Sequence, residues 1–309
     1  MKSWFRYVLY ASLVFLAIAL YRADYLVLPH IRSLAALIGS FLLLFAGLIA
    51  DAFSWRAVIA RFGFPTGIRE SIAAVGLSAF AKYIPGKIWA VMGRSAYIKE
   101  RRGYSLTQLT SASLIWQIIM LWVGLIFGAV GLYLLGEILR WGLPILVAWL
   151  ALTTVIFSDA AQSIARRVYK RFLKRDISFP ALSFGSTLAS LPWFVITWGL
   201  LSASFYLLVV GLTTTPVPAS TGLGFSLTII MGILAMFIPG GIGVREGAMV
   251  AWLTIVGVPV KEATAIAIAA RLWFLIGEVF TFVLGMVIGA FLKKPARDES
   301  DDVTRRGPG

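Results

Sequence analysis

Lys82, Lys87, Arg94, Arg245, Glu246, Arg271 and Glu278 all sit inside or beside long apolar stretches of the chain. A charge in such a place is expensive unless a partner or a ligand answers it. The cations outnumber the carboxylates, and arginine offers a planar fork of donors that matches phosphate. Beside these charges the chain is broken twice, at Tyr83-Ile84-Pro85-Gly86-Lys87 and at Phe237-Ile238-Pro239-Gly240-Gly241-Ile242-Gly243. Proline removes a helical N–H and glycine permits a turn, so the half-helices that restart there present free N–H groups to an anion. The chemistry expected is a cationic cavity for a phosphate-bearing group. Arg94 and Arg245 would hold the phosphate, Lys82 and Lys87 would recruit it, and Gly86, Gly240, Gly241 and Gly243 would let backbone approach. Glu246 or Glu278 would neutralise charge or accept a proton. Arg271 and Glu278, seven residues apart, fall on one side of a helix.

Each of these residues also has a plainer reading. Lys82, Lys87 and Arg94 suit snorkelling to the cytoplasmic interface. Arg245 and Glu246 suit a structural pair, and Arg271 and Glu278 suit cross-pairing with the other half of the chain. Trp89, Trp116, Trp122, Trp252 and Trp273 read as packing or interfacial aromatics.

The elements that must position these groups are membrane helices. Of 309 residues, 60% are apolar and 14% charged, and the mean hydropathy is +0.89. That composition excludes a soluble globular enzyme and a disordered chain. There is no cysteine, and the single histidine is His30, so thiolate chemistry and Cys or His metal clusters are excluded. The net charge of +14 comes from basic residues between apolar runs, which fits cytoplasmic loops better than nucleic acid. No His-Glu-x-x-His or phosphate-binding P-loop occurs, and no Asp-x-Asp occurs outside the polar tail. No catalytic residue, metal or cofactor is expected.

Apolar runs cover about 5–22, 34–50, 71–92, 106–135, 142–158, 181–211, 221–256 and 263–291. The first is read as an uncleaved helix. Basic residues follow the second and third runs, form a block from Arg166 to Arg175, and close the last run at Lys293 and Lys294; the loop 212–220 carries no charge. The positive-inside rule puts the basic segments and both termini in the cytoplasm. Segment 71–92 then has both ends inside, and 221–256 both ends outside, so each is expected to enter and return as a re-entrant hairpin.

A shift of 154 residues superposes the two breaks. Ala81, Ile84, Pro85, Gly86, Ile88, Gly93, Gly103, Thr110, Leu121 and Gly131 fall on Ala235, Ile238, Pro239, Gly240, Ile242, Gly247, Gly257, Thr264, Leu275 and Gly285. Roughly half as many identities are expected by chance in so apolar a chain, so the weight lies in the coincidence of proline, glycines and helix starts. The expected fold is an all-α polytopic membrane protein with an inverted repeat, halves about 1–138 and 139–292. Each half has three transmembrane helices and one re-entrant hairpin, six spans and two hairpins in all. The alternative is eight spans kinked at Pro-Gly. Residues 1–292 form one domain, and 293–309 a polar cytoplasmic tail, expected to be disordered.

Lys82-Tyr83-Ile84-Pro85-Gly86-Lys87-Ile88-Trp89 with Gly93-Arg94, followed by Ile238-Pro239-Gly240-Gly241-Ile242-Gly243-Val244-Arg245-Glu246-Gly247, resembles the lysylphosphatidylglycerol synthase transmembrane-region family, also described as flippase-like. The resemblance covers roughly 5–291. It implies a lipid flippase of a bacterial or archaeal inner membrane, acting on an anionic or glycerophosphate-type headgroup. By position, Pro85, Gly86, Lys87, Arg94, Pro239, Gly240, Gly241, Gly243, Arg245 and Glu246 match the family pattern. The chain has no room for the soluble synthase domain of the fused members, so a stand-alone membrane member is expected.

The cargo expected is an anionic phospholipid or a polyprenyl-phosphate-type lipid. A second reading is a non-transporting partner that anchors or presents lipid to a separate glycosyltransferase or lipid synthase, docked on Arg166–Arg175. A third is a small-anion carrier.

Overall fold

In the computed structural model the described residues are 30–83, 88–158, 184–235 and 243–292, and every regular element among them is helical. The helices are α1 (Leu34–Arg61), α2 (Ile68–Leu77), a 3-10 segment (Ala79–Tyr83), α3 (Ile88–Arg102), α4 (Leu106–Leu134) and α5 (Ile138–Phe157). There follow the short α6 (Phe184–Leu188), α7 (Leu191–Leu212), a second 3-10 segment (Ala219–Leu223), α8 (Gly224–Leu234), α9 (Val244–Ile255) and α10 (Val260–Phe291). Among the described residues, α1, α4, α5, α7 and α10 are long and apolar enough to cross a membrane. At about 1.5 Å per residue, α2, α8 and α9 reach only about halfway across a 30 Å hydrocarbon core. The first apolar run, the block Arg166–Arg175, the tail, and Pro85, Gly86, Lys87, Pro239, Gly240 and Gly241 lie outside the described residues.

Helices α1 and α7 form the central antiparallel pair. Arg32 N donates to Gly211 O at 2.8 Å at one end, Ser204 Oγ donates to Ser40 O at 2.7 Å, and Phe53 stacks on Trp193 further along. Two of the three remaining long helices, α4 and α10, lie beside this pair and run oppositely. Tyr104, just before α4, packs on Phe64 after α1, whereas Glu262 in the first turn of α10 accepts from Thr214 N after α7.

Each pair of short helices is held where its first helix starts and its second ends. Glu70, in the first turn of α2, caps its own helix by accepting from Gly67 N at 2.9 Å. The same carboxylate takes a forked pair of bonds from Arg102 at the end of α3, the shortest 2.8 Å. The start of α2 thus meets the end of α3, near the C-terminus of α1, where Arg56 Nε reaches Thr66 O. In the second half, Trp252 Nε1 of α9 donates to Thr221 O at 2.8 Å, and Gly224 at the start of α8 lies against the same indole. Here the start of α8 meets the end of α9, on the far side of the bundle, near the C-terminus of α7. α2 crosses α10 and α8 crosses α4, each through glycines: Gly76 against Thr281 and Gly285, and Gly128 and Gly131 against Leu227 and Leu223.

The Glu70 clamp gives the protein a pH dependence. Burial pushes the Glu70 carboxyl up. The hydrogen bonds from Arg102 and Gly67 N–H, with the charges of Arg102 and Arg101, outweigh that and hold it below its ordinary 4.5. A carboxylate with a depressed folded-state pKa stabilises fully above its unfolded value and loses that contribution as pH falls through the folded one. The melting-temperature margin of wild type over Glu70→Gln is therefore expected to shrink as detergent-solubilised protein is acidified below about 4.5. A margin constant with pH would mean the clamp contributes nothing.

Candidate functional site

The middle of α10 supplies the floor of the site. Arg271, Phe274 and Glu278 recur at helical spacing on one face, and all three are buried, Glu278 to 2% exposure. Lys82, at the end of the first 3-10 segment, brings its Nζ to 2.5 Å from Glu278 Oε1. The same ammonium lies 5.1 Å from the centre of the Phe274 ring. Arg245, in the first turn of α9, holds its guanidinium 4.3 Å from that ring and 5.4 Å from Phe225. One phenyl ring therefore carries a cation from each half of the chain, an arrangement favoured by its quadrupole.

Glu246 serves the second break. Gly243, with φ +84°, donates its N–H to Glu246 Oε2 at 2.6 Å, and Glu246 Oε1 lies 3.5 Å from Arg271 Nη1. Arg271 and Glu278 accordingly answer different partners: Glu246 within the same half, and Lys82 across the halves.

Arg94 occupies a chamber of its own on α3. Its guanidinium lies 4.5 Å from the Trp116 ring and 5.9 Å from Trp55, with 7% of the residue exposed. Both indoles are pinned: Trp116 Nε1 donates to Ser54 Oγ at 2.7 Å and Trp55 Nε1 to Ser113 Oγ at 2.9 Å. Arg94 Nη1 is buried with no hydrogen-bond partner among the described residues. Asp51, in the middle of α1, feels the charges of both Arg94 and Lys82. Arg94 and Arg245 stand on different ring pairs, Trp116 and Trp55 for the first, Phe274 and Phe225 for the second.

Ser54→Ala removes the acceptor of a buried indole N–H, and an orphaned buried donor costs about 1–3 kcal/mol. A measurable fall in melting temperature is the expected outcome; an unchanged one would show that the indole finds another acceptor.

Asp51, Trp55, Phe225 and Phe274 were not singled out from sequence. Asp51 offers a signal, a carboxylate ten residues inside the end of an apolar helix. The aromatic rings offer none, because phenylalanine is common throughout this chain. Among the described residues no group of three His, Asp or Glu side chains is placed to hold a metal ion.

Comparison with curated proteins and with solved structures gives no match. The family described as lysylphosphatidylglycerol synthase TM region matches residues 3–289. With a match over nearly the whole chain and five helices able to cross a bilayer, the protein is a multi-pass membrane protein and belongs to the lysylphosphatidylglycerol synthase TM region family.

Proposed function

We propose that the protein is a lipid transporter that moves a phosphate-bearing lipid across the cytoplasmic membrane, without chemically changing it. The observation that carries this reading is the shared ring of Phe274, where Lys82 of one short-helix pair and Arg245 of the other converge in the middle of a spanning helix. The headgroup would lie against these cations while the hydrocarbon chains stay in the bilayer. Arginine in a dry site would replace the phosphate's water with forked, charge-assisted hydrogen bonds.

In this reading α2–α3 and α8–α9 are re-entrant hairpins entering from opposite faces, and the two halves are an inverted repeat. Several contacts support it. The open ends of the two pairs lie at opposite ends of the antiparallel α1–α7 pair. The crossing of α2 on α10 has its counterpart in that of α8 on α4. Gly103 and Gly257, related by the shift of 154, both take positive φ where a short helix hands over to a long one. Interrupted helices that meet near the midplane are the usual place for a transporter's binding site. Arg56, Arg61, Arg69, Lys99, Arg101 and Arg102 gather at one end of the bundle, which becomes the cytoplasmic end of an inner-membrane protein.

The test is reconstitution into vesicles of phosphatidylcholine containing headgroup-labelled phosphatidylglycerol, with a membrane-impermeant quencher added outside. Faster loss of the protected fluorescence than in protein-free vesicles is expected. No acceleration with phosphatidylglycerol or with a labelled polyprenyl phosphate would sink the transport reading. A partner that presents lipid to a separate enzyme would then take its place.

A further inference from the structure

One end of the bundle carries more positive charge than its own carboxylates answer. Among the described residues, Arg56, Arg61, Arg69, Lys99, Arg101 and Arg102 gather there with two carboxylates, Glu70 and Glu100, an excess of four. Glu70 is committed to Arg102 and Arg101. Arg61, Arg69 and Lys99 are exposed and have no ion-pair partner among the described residues.

The last helix ends at this same end. In the last turn of α10, a Cβ built on Gly289 would stand 3.6 Å from the Tyr97 hydroxyl oxygen of α3. The Tyr97 ring in turn holds the Arg101 guanidinium 5.7 Å from its centre. Beyond α10 the chain places Asp298, Glu299, Asp301 and Asp302 within five positions, four of its fourteen acidic residues. An extended chain covers about 3.3–3.6 Å per residue, so from Leu292 it can carry Asp298 about 20 Å and Asp302 about 35 Å. Lys99 and Arg102 are only about 3 and 8 Å further along α3 than Tyr97. The bond from Arg102 to Glu70 brings the start of α2, and Arg69 with it, to the same place. Lipid phosphates are the other anions these bases could meet, and helix length separates the two. With 28 and 32 residues, α1 and α10 are about 42 and 48 Å long. Each covers the hydrocarbon and both headgroup layers, together about 40–45 Å. Arg61 and Phe291, their last residues, thus stand at the water side of the headgroups, where the acidic run begins its reach. An acidic run beside an anionic leaflet is repelled by it and drawn to the protein's own bases.

We propose that the exposed bases Arg61, Arg69 and Lys99 form a docking surface for the chain's own acidic segment, Asp298 to Asp302. The four negative charges of the segment match the excess of four at this end of the bundle. A single exposed ion pair is weak. The tether, however, holds the segment at an effective concentration on the order of millimolar, and several pairs form together. The docking is therefore reversible and weakens as salt screens it. Lys293 and Lys294, between α10 and the acidic run, are left to the leaflet. The contact stands apart from the transport reading and requires no lipid cargo.

The chain has no cysteine, so a spin label on Ser300→Cys reports from the middle of the acidic run without removing a charge. In full-length protein held in nanodiscs of phosphatidylcholine and phosphatidylglycerol, the label is expected to be immobilised at about 0.01 M salt. It should become fast at about 1 M, as the Debye length falls from about 30 to about 3 Å. Asp298→Asn, Glu299→Gln, Asp301→Asn and Asp302→Asn together should make it fast at both. So should Arg61→Gln, Arg69→Gln and Lys99→Gln together, a set that leaves the Glu70 clamp in place. Zero-length carbodiimide coupling at low salt should join Lys99 to the acidic run, read by mass spectrometry of the digested protein. A label that is fast at low salt overturns the docking. A slow label that ignores salt or either set of replacements, or that comes without the Lys99 link, places the segment elsewhere and also overturns it. A label slow in phosphatidylcholine alone and fast once phosphatidylglycerol is present gives the surface to lipid headgroups, which overturns it as well.

Discussion

Arg245→Ala is expected to abolish retention of phosphate-bearing lipid through gentle purification, and with it flipping in vesicles, while leaving a folded, monodisperse protein. The side chain is 6% exposed and lies on the Phe274 ring beside Lys82. Its removal takes away the forked donor nearest the point where the halves converge. Hydrogen bonds to a charged partner contribute about 1.5–3 kcal/mol each, so losing a forked pair weakens binding by at least about a hundredfold. Arg245→Lys keeps the charge but not the fork, and an intermediate loss is expected. Mass spectrometry of co-purified lipid reads all three proteins. Wild-type lipid content in a folded Arg245→Ala would remove this residue from the binding machinery. Arg94→Ala supplies the companion measurement, because that guanidinium sits in a separate aromatic chamber. If both arginines hold the same phosphate, their losses will not add.

Gly76→Ala should be one of the most damaging methyl additions among the described glycines. A Cβ built on Gly76 would stand 2.2 Å from the backbone oxygen of Thr281 and 3.1 Å from Gly285 Cα. Neither atom can rotate away, so α2 and α10 must separate along their whole crossing. Overpacking of this kind costs about 1–3 kcal/mol, and more when backbone is the obstacle. The same separation pulls Lys82 from Glu278, since Lys82 lies in the 3-10 segment that follows α2 and Glu278 one turn from Thr281 on α10. A large fall in melting temperature together with lost flipping is the expected result. Gly199→Ala is the control, because its Cβ meets nothing within 4 Å. Equal melting temperatures for the two variants would show that the α2–α10 crossing is loose enough to yield.

The long helices could be read from the apolar runs with small differences, each with a local cause. The run 181–211 is divided into α6 and α7 because Pro192, at the start of α7, suits a helix beginning and not its interior. Helix α3 continues ten residues past the apolar run to Arg102, since Lys99, Arg101 and Arg102 are good helix formers outside the hydrocarbon and Arg102 is held by Glu70. The breaks at Pro85-Gly86 and Pro239-Gly240 were legible in type, as no other residues interrupt a helix so reliably, and their structure lies outside the described residues.

The sequence by itself determined that this is a chain of membrane helices, that two of its segments are interrupted, and which charges had to be answered. Local chemistry is enough for that, since hydropathy, the 3.6-residue period and the backbone limits of proline and glycine all act within a few turns. Only the tertiary structure decided who answers whom. Period places Arg271 and Glu278 on one face of α10, but it does not say that Glu246 comes to the first and Lys82 to the second. It cannot single out Phe274 from twenty other phenylalanines as the ring on which two cations meet, or bring Asp51 within the field of both Arg94 and Lys82. Those partners lie on helices far apart in the chain, and what brings them together is the packing of glycine-lined crossings that no single segment encodes.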